Sequence, residues 1–210
     1  MRSYLYAFLA FIVFTAAWMV HPSTAGSVAP PLASSVVKVL PGKGHGSGVH
    51  IGNGYILTAA HVVDGAKSLK IRTSDGKDRD ATVLWSSKEY DIAAIRTAEA
   101  GIAVSNLDCR TAEAGEVIRA SGNPIVLEFV DSYGKVAGKP RLLGPWKSVL
   151  ITDITTVPGM SGGPTFDANG NVVGITVGVM TLPSGFSASL TGFGAMVPSS
   201  TVCGLLGRIA

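Results

Sequence analysis

The chain has 210 residues, 17 Lys+Arg against 14 Asp+Glu for a formal net charge of +3, and 15% charged against 47% hydrophobic residues. It is too apolar for a disordered chain, and its 2 cysteines exclude a disulfide-built scaffold or a Cys-based zinc site. A charge of +3 supplies no concentrated basic patch, so no nucleic-acid partner is expected.

The first feature in chain order is residues 4–20, apolar apart from Thr15 and the hydroxyls of Tyr4 and Tyr6. Arg2 precedes the run, Pro22 ends any helix, and Ser23 and Ala25 place small residues where a signal peptidase inspects the chain. Residues 1–25 therefore read as a signal peptide or an uncleaved membrane anchor, and on either reading the rest is exported. Residues 26–34, rich in Pro, Ser and Ala, read as a linker.

Residues 35–210 read as short strands. The first set is 35–40, 47–51, 55–59, 69–73, 81–85 and 92–97, and the second is 117–121, 126–132, 141–152, 163–166, 172–179 and 193–197. Asn53-Gly54, Asp64-Gly65, Asp75-Gly76 and Asn169-Gly170 suit tight turns that need positive φ, and the run Lys77-Asp78-Arg79-Asp80 reads as a solvated turn. Many short strands with frequent glycine turns predict an all-β sandwich or barrel. The end of the chain predicts a helix capped by Ser199 or Ser200, with Val202, Leu205, Leu206 and Ile209 on one face.

Three segments carry chemistry. In PGMSGGP (158–164), glycines flank Ser161 and suggest a tight turn with an exposed hydroxyl and converging amides. A nucleophilic serine needs both a base and preorganised N–H donors for the oxyanion. In ILTAAHVV (56–63), a strand runs through small residues into His61, a candidate general base. In YDIAAI (90–95), Asp91 opens an apolar strand and could orient an imidazole. His45 and His50 come with no HExxH motif or acidic cluster, so they read as solvent-exposed loop histidines, and no metal or cofactor is expected. The alternating glycines at 42–48 lack the spacing of a phosphate-binding loop.

Taken in order, GSGVHIGNGYILTAAHVV (46–63), DIAAI (91–95), SGNP (121–124), PGMSGGP, NVVGITVG (171–178) and FGAMVPSS (193–200) resemble the chymotrypsin/trypsin-like serine peptidases. The nearest branch is the bacterial high-temperature-requirement (HtrA/Deg) proteases. The resemblance implies a trypsin-like peptidase domain of two six-stranded antiparallel β-barrels, residues 35–105 and 106–210, with a C-terminal helix and the active site between the barrels. It implies that Ser161 attacks the scissile carbonyl, that His61 moves the proton and that Asp91 orients His61. Gly159 and Ser161 N–H groups would form the oxyanion hole. Thr155 would lie at the base of the specificity pocket and Thr176 and Gly194 on its walls, while Thr176, Val177 and Gly178 would pair with the substrate backbone. With no acid at that base, a small or medium apolar residue is expected before the scissile bond, rather than Lys or Arg.

Two departures stand out. By the same resemblance, Met160 occupies a position that is Asp in the digestive enzymes and usually Asn in the Deg branch, so activation by N-terminal insertion is not expected. The chain also ends at Ala210, where Deg proteases continue into a PDZ domain, so no such domain is expected. In this fold the final helix packs back on the body, so Cys109 and Cys203 are either disulfide-bonded or two buried thiols. The expected function is an exported serine endopeptidase, periplasmic or secreted, acting on protein or peptide substrates and touching membrane only through an uncleaved N-terminal segment. The alternatives are a catalytically silent peptide-binding relative and a processing protease with one dedicated substrate.

Overall fold

The structure, a computed structural model, describes residues 34–98, 101–184 and 187–207. The expected leader, and the linker up to residue 33, lie outside the described residues.

Six strands, β1 (Val36–Leu40), β2 (Gly46–Gly52), β3 (Tyr55–Thr58), β4 (Ser68–Arg72), β5 (Asp78–Ser87) and β6 (Ile92–Thr97), close into a barrel in the order β1-β2-β3-β6-β5-β4. The β2–β3 hairpin turns at Asn53 and Gly54, with φ 51 and 75, as the Asn-Gly pair predicts. The run predicted as a turn at 77–80 is instead mostly strand, because Asp78, Arg79 and Asp80 pair with Arg72, Ile71 and Lys70 on β4. Its charges stay near the surface, where Asp78 meets Arg72 at 2.7 Å.

The second half supplies β7 (Val117–Gly122), β8 (Val130–Lys135), β9 (Arg141–Leu143), β10 (Trp146–Thr152), β11 (Pro164–Phe166), β12 (Val172–Ser184) and β13 (Ser187–Pro198), ordered β8-β7-β11-β12-β13-β10-β9. Just past β8, Val136 bridges Thr152 of β10, and Ala137 N–H donates to Ile151 O at 2.7 Å. Six strands thus curl into a second ring, with β9 hung outside it on β10. The single strand expected over 141–152 is a hairpin, broken by Gly144 at φ 55 followed by Pro145. The strand expected at 126 starts at Val130, because Ile125 and Phe129 take φ 53 and 55 and leave the extended region.

The apolar residues sort into three cores. Val37, Val39, Ile56, Ile71 and Ile95 fill the first barrel. Ile118, Leu150, Met160, Val173 and Met196 fill the second. The third is shared: Val36, Val49, Leu57 and Ile92 of the first barrel meet Val149, Ile175, Val177 and Val197 of the second. Successive residues of one strand serve different cores, since side chains alternate across a strand. Val36 faces the interface and Val37 the barrel, and Val149 and Leu150 repeat the arrangement on β10. Strands apolar on both faces explain the high hydrophobic share and low charge of the sequence.

The last element, α1 (Ser199–Leu206), buries Val202 and Leu205 against the shared core. Neither serine caps it. Pro198 is the N-cap residue and no side chain bonds there; Ser199 Oγ instead donates to Val172 O at 2.8 Å and Ser200 Oγ bonds Thr111 Oγ1 at 2.6 Å. Cys109 and Cys203 form a disulfide with Cα atoms 5.7 Å apart, joining the crossing segment to this helix.

Candidate active site

His61 sits in a 3-10 turn, Ala60–Val62, that follows β3. Asp91 opens β6 at φ 57, a left-handed conformation that Asp tolerates better than most residues. β3 and β6 are paired neighbours, so 30 residues of chain close onto one corner. There His61 Nδ1 lies 2.8 Å from Asp91 Oδ2, and the His61 backbone N–H donates to Oδ1 at 2.9 Å. The carboxylate can only accept, so Nδ1 carries the hydrogen of this contact and Nε2 lies on the far side of the ring from Asp91. Asp91 is buried while the His61 side chain is 50% exposed, which leaves the imidazole accessible.

Ser161 arrives from the second barrel on the loop before β11. His61 and Ser161 line one cavity of about 260 Å³ with Lys43, His45, Pro158 and Gly159. The loop is shaped from the first barrel. Ser47 Oγ donates to Gly159 O at 2.7 Å, and Ser47 N–H donates to Ser161 O at 2.7 Å. Asn123 N–H donates to Ser47 Oγ at 2.9 Å and its side-chain amide does so at 3.1 Å. Gly162 N–H donates to Thr176 O, and Thr176 N–H returns a bond to Gly163 O.

Two glycines make this path available. Gly162 has φ 86, and a Cβ there would fall 2.2 Å from both Ser47 O and Thr58 Oγ1. Gly159 has φ 98, and a Cβ would fall 2.3 Å from Asn123 O. Pro158 O accepts from Ile125 N–H at 2.9 Å. Across a trans peptide the Gly159 N–H points the opposite way. Among the described residues neither Gly159 nor Ser161 donates its N–H to a backbone carbonyl. Met160 is buried in the core of the second barrel, and its N–H donates to Val157 O at 3.2 Å. Apolar packing takes the place of the ion pair or amide contact that Asp or Asn would make there.

Of the other predicted residues, Val177 is buried in the shared core and Gly178 lies against the Trp146 ring. Gly194 approaches Thr156 and Thr152, since a Cβ on it would lie 2.4 and 2.9 Å from their hydroxyls. Thr155 is exposed, and its carbonyl accepts from Ser132 Oγ at 3.1 Å. His50 is not a solvent-exposed loop residue: it is fully buried in β2, where Nε2 accepts from Gly54 N–H at 3.2 Å and Nδ1 meets Ala103 O at 2.9 Å. His45 is half-buried, with Nε2 2.8 Å from Asn123 O. Among the described residues no three His, Cys, Asp or Glu side chains gather closely enough to hold a metal.

The structure adds Ser47, Asn123 and Trp146, whose indole N–H donates to Asp91 Oδ2 at 3.2 Å. Ser47 and Asn123 lie inside GSGV and SGNP, where a polar residue amid apolar ones is the available signal. Nothing local marks Trp146.

Two packed β units, with a histidine–aspartate pair from one and a glycine-flanked serine from the other, define the fold and site of the trypsin-like class. The model of the trypsin-like peptidase domain family matches residues 46–175, and the chain belongs to that family. It is 35% identical over 137 residues to a protein of Hahella chejuensis described as a probable periplasmic serine endoprotease DegP-like, covering 64% of this chain and 29% of that protein. Among solved structures, the HtrA-type protease AlgW with tripeptide superposes with a TM-score of 0.75 at 27% identity, covering 84% of this chain and 60% of that one. The serine endoprotease from Yersinia pestis gives 0.70 at 26% identity, covering 84% and 63%. The chain thus spans less than a third of the curated relative's length.

Proposed function

We propose that this chain is an exported serine endopeptidase that hydrolyses peptide bonds in protein or peptide substrates. The observation that carries the reading is that His61, already bonded to Asp91, and Ser161 line the same cavity from opposite barrels. His61 Nε2 takes the Ser161 proton as the hydroxyl attacks the carbonyl carbon, then delivers it to the departing amine. Asp91 keeps the Nδ1–H in place and stabilises the imidazolium. The Gly159 and Ser161 N–H groups receive the oxyanion, which forms only on the way over the barrier.

Binding follows from strand edges. β11 pairs with β12 no further than Ile175, and Thr176 is occupied by the nucleophile loop. Among the described residues no strand pairs with that edge of β12 from Val177 onward, and an extended peptide would add there as a further strand. In this reading Thr155 lies at the base of the pocket for the residue before the scissile bond and Thr176 and Gly194 on its walls, with the Thr156 and Thr152 hydroxyls close to Gly194. The pocket's groups are threonine hydroxyls rather than carboxylates, which suits a small or medium apolar side chain better than Lys or Arg.

Export to the periplasm or beyond is supported by the apolar run at 4–20, by a disulfide that persists in an oxidising compartment and by the periplasmic description of the relative. Among the described residues no helix is long and apolar enough to cross a membrane. The decisive experiment is labelling with a fluorophosphonate together with turnover of an unfolded protein such as casein. Wild type should label and cleave, and Ser161→Ala should do neither, with turnover down roughly a million-fold if the triad acts as a unit. Equal labelling of both proteins overturns the reading.

A further inference from the structure

Trp146 opens β10 in the second barrel, yet its indole reaches an acid 55 residues earlier in the chain, on the first barrel. The oxygen it meets, Asp91 Oδ2, already accepts from His61 Nδ1 at 2.8 Å. The next residue fastens the same hairpin to the same loop: Lys147 N–H donates to Glu89 O at 3.2 Å, and its ammonium pairs with the Glu89 carboxylate. The Asp91 carboxylate is thus held by the His61 backbone N–H, the His61 ring and this indole. The rest of the indole lies against β12. A Cβ on Gly178 would fall 2.7 and 2.8 Å from ring atoms Cζ2 and Cη2 of Trp146. One rigid ring therefore touches both the acid and the strand edge.

We infer that Trp146 is a positioning residue: it fixes the Asp91 carboxylate from the opposite barrel and couples the Asp91–His61 pair to the backbone of Gly178, where the peptide adds. The kinetic consequence rests on the hydrolase reading, whereas the coupling itself does not. A charge-assisted donor on Oδ2 limits rotation of the carboxylate, and with it tilt of the imidazole toward Ser161. Phenylalanine keeps the ring's packing and removes the N–H. Alanine at 178 instead pushes the ring off its seat.

The test uses the full chain with casein turnover and proton NMR. Trp146→Phe should lower kcat about tenfold, the worth of one hydrogen bond to a charged group, with KM nearly unchanged, measured where the variant is still fully folded. In Ser161→Ala protein, where activity plays no part, the low-field Nδ1–H resonance that disappears in His61→Ala should move or broaden when Trp146→Phe is added. In the same Ser161→Ala protein, Gly178→Ala should move the His61 Nδ1–H resonance, but leave it in place on a Trp146→Ala background, because the ring it displaces is gone. An unmoved resonance overturns the proposal, whether kcat is unchanged or falls together with Tm. Shifts of that resonance at 178 and 146 that simply add overturn the coupling. Wild type that neither labels nor cleaves removes the hydrolase reading alone, and the resonance still decides the role of Trp146.

Discussion

Ser47 is fully buried, and its hydroxyl stands between the carbonyl of Gly159 and two N–H groups of Asn123. It can donate once and accept twice, so these three bonds use its full capacity. Ser47→Ala leaves the Gly159 carbonyl and the Asn123 backbone N–H without their partner at a site water does not reach. The expected loss is about 1–3 kcal/mol of stability, read as a lower urea midpoint. Turnover should fall further than that loss explains, measured where the variant is still folded, because the same bonds set the oxyanion loop. That His61 and Asp91 meet, and that Ser161 shares a cavity with His61, is what the structure adds to three residue types whose chemistry the sequence displays. Ser47, Asn123 and Trp146 were not legible in the sequence, because their partners lie 112, 76 and 55 residues away and the roles exist only once the barrels meet.

Strands and turns divide in the same way. Where Asn-Gly or a clear apolar run marked an element, as at β2–β3 and β6, sequence and structure agree. They part over 126–132 and 141–152, where apolar composition alone could not reveal left-handed residues or a Gly-Pro turn. The 3-10 turn carrying His61 was likewise invisible, being one turn long. At the C-terminal end, α1 is short and has no side-chain cap, so its place depends on Val202, Leu205 and the bond to Cys109. The cysteines are 94 residues apart, and a link of that span restricts the unfolded chain strongly. Cys203→Ser, or reduction of the wild type, should lower stability by about 2–5 kcal/mol, seen as a fall in the calorimetric Tm.

At the scale of the whole molecule, the segment between barrels is tied down by charge as well as by sulfur. Arg110 donates to Asp108 at 2.8 Å and to Asp167 at 3.2 Å, and also pairs with Glu116. Its carbonyl takes the N–H of Ser200 at the start of α1. The Arg110 guanidinium holds Glu116 below the usual carboxylate range. For Asp167, burial pushes upward, but N–H donors from Asn171 and Asn169 together with Arg110 more than offset it and the net shift is downward. Both carboxyls are thus more acidic folded than unfolded. Their contribution is fully present above the unfolded values near 4 and is lost as pH falls through the depressed folded values. Stability should be flat above about pH 5 and decline below about pH 4. Arg110→Gln should reduce it by about 1–2 kcal/mol at neutral pH, allowing for solvent at the guanidinium, and flatten the acid slope. Urea midpoints across pH would test both, and an unchanged slope in the variant would remove the cluster as the cause.

By itself the sequence determined the all-β class, most of the strands along the chain and the side chains proposed to react. Alternation, turn residues and functional groups are local properties, written within a few neighbours. Only the tertiary structure decided how the two β units meet, which polar residues hold the nucleophile loop, that His50 is buried and that Trp146 reaches Asp91. Those facts depend on contacts between residues lying 53 to 112 positions apart. Their energies arise from burial and from bonds made across the interface, and no local pattern encodes them. The low charge noted at the outset is the visible trace of that interface: strands that face a core on either side leave few positions for charge.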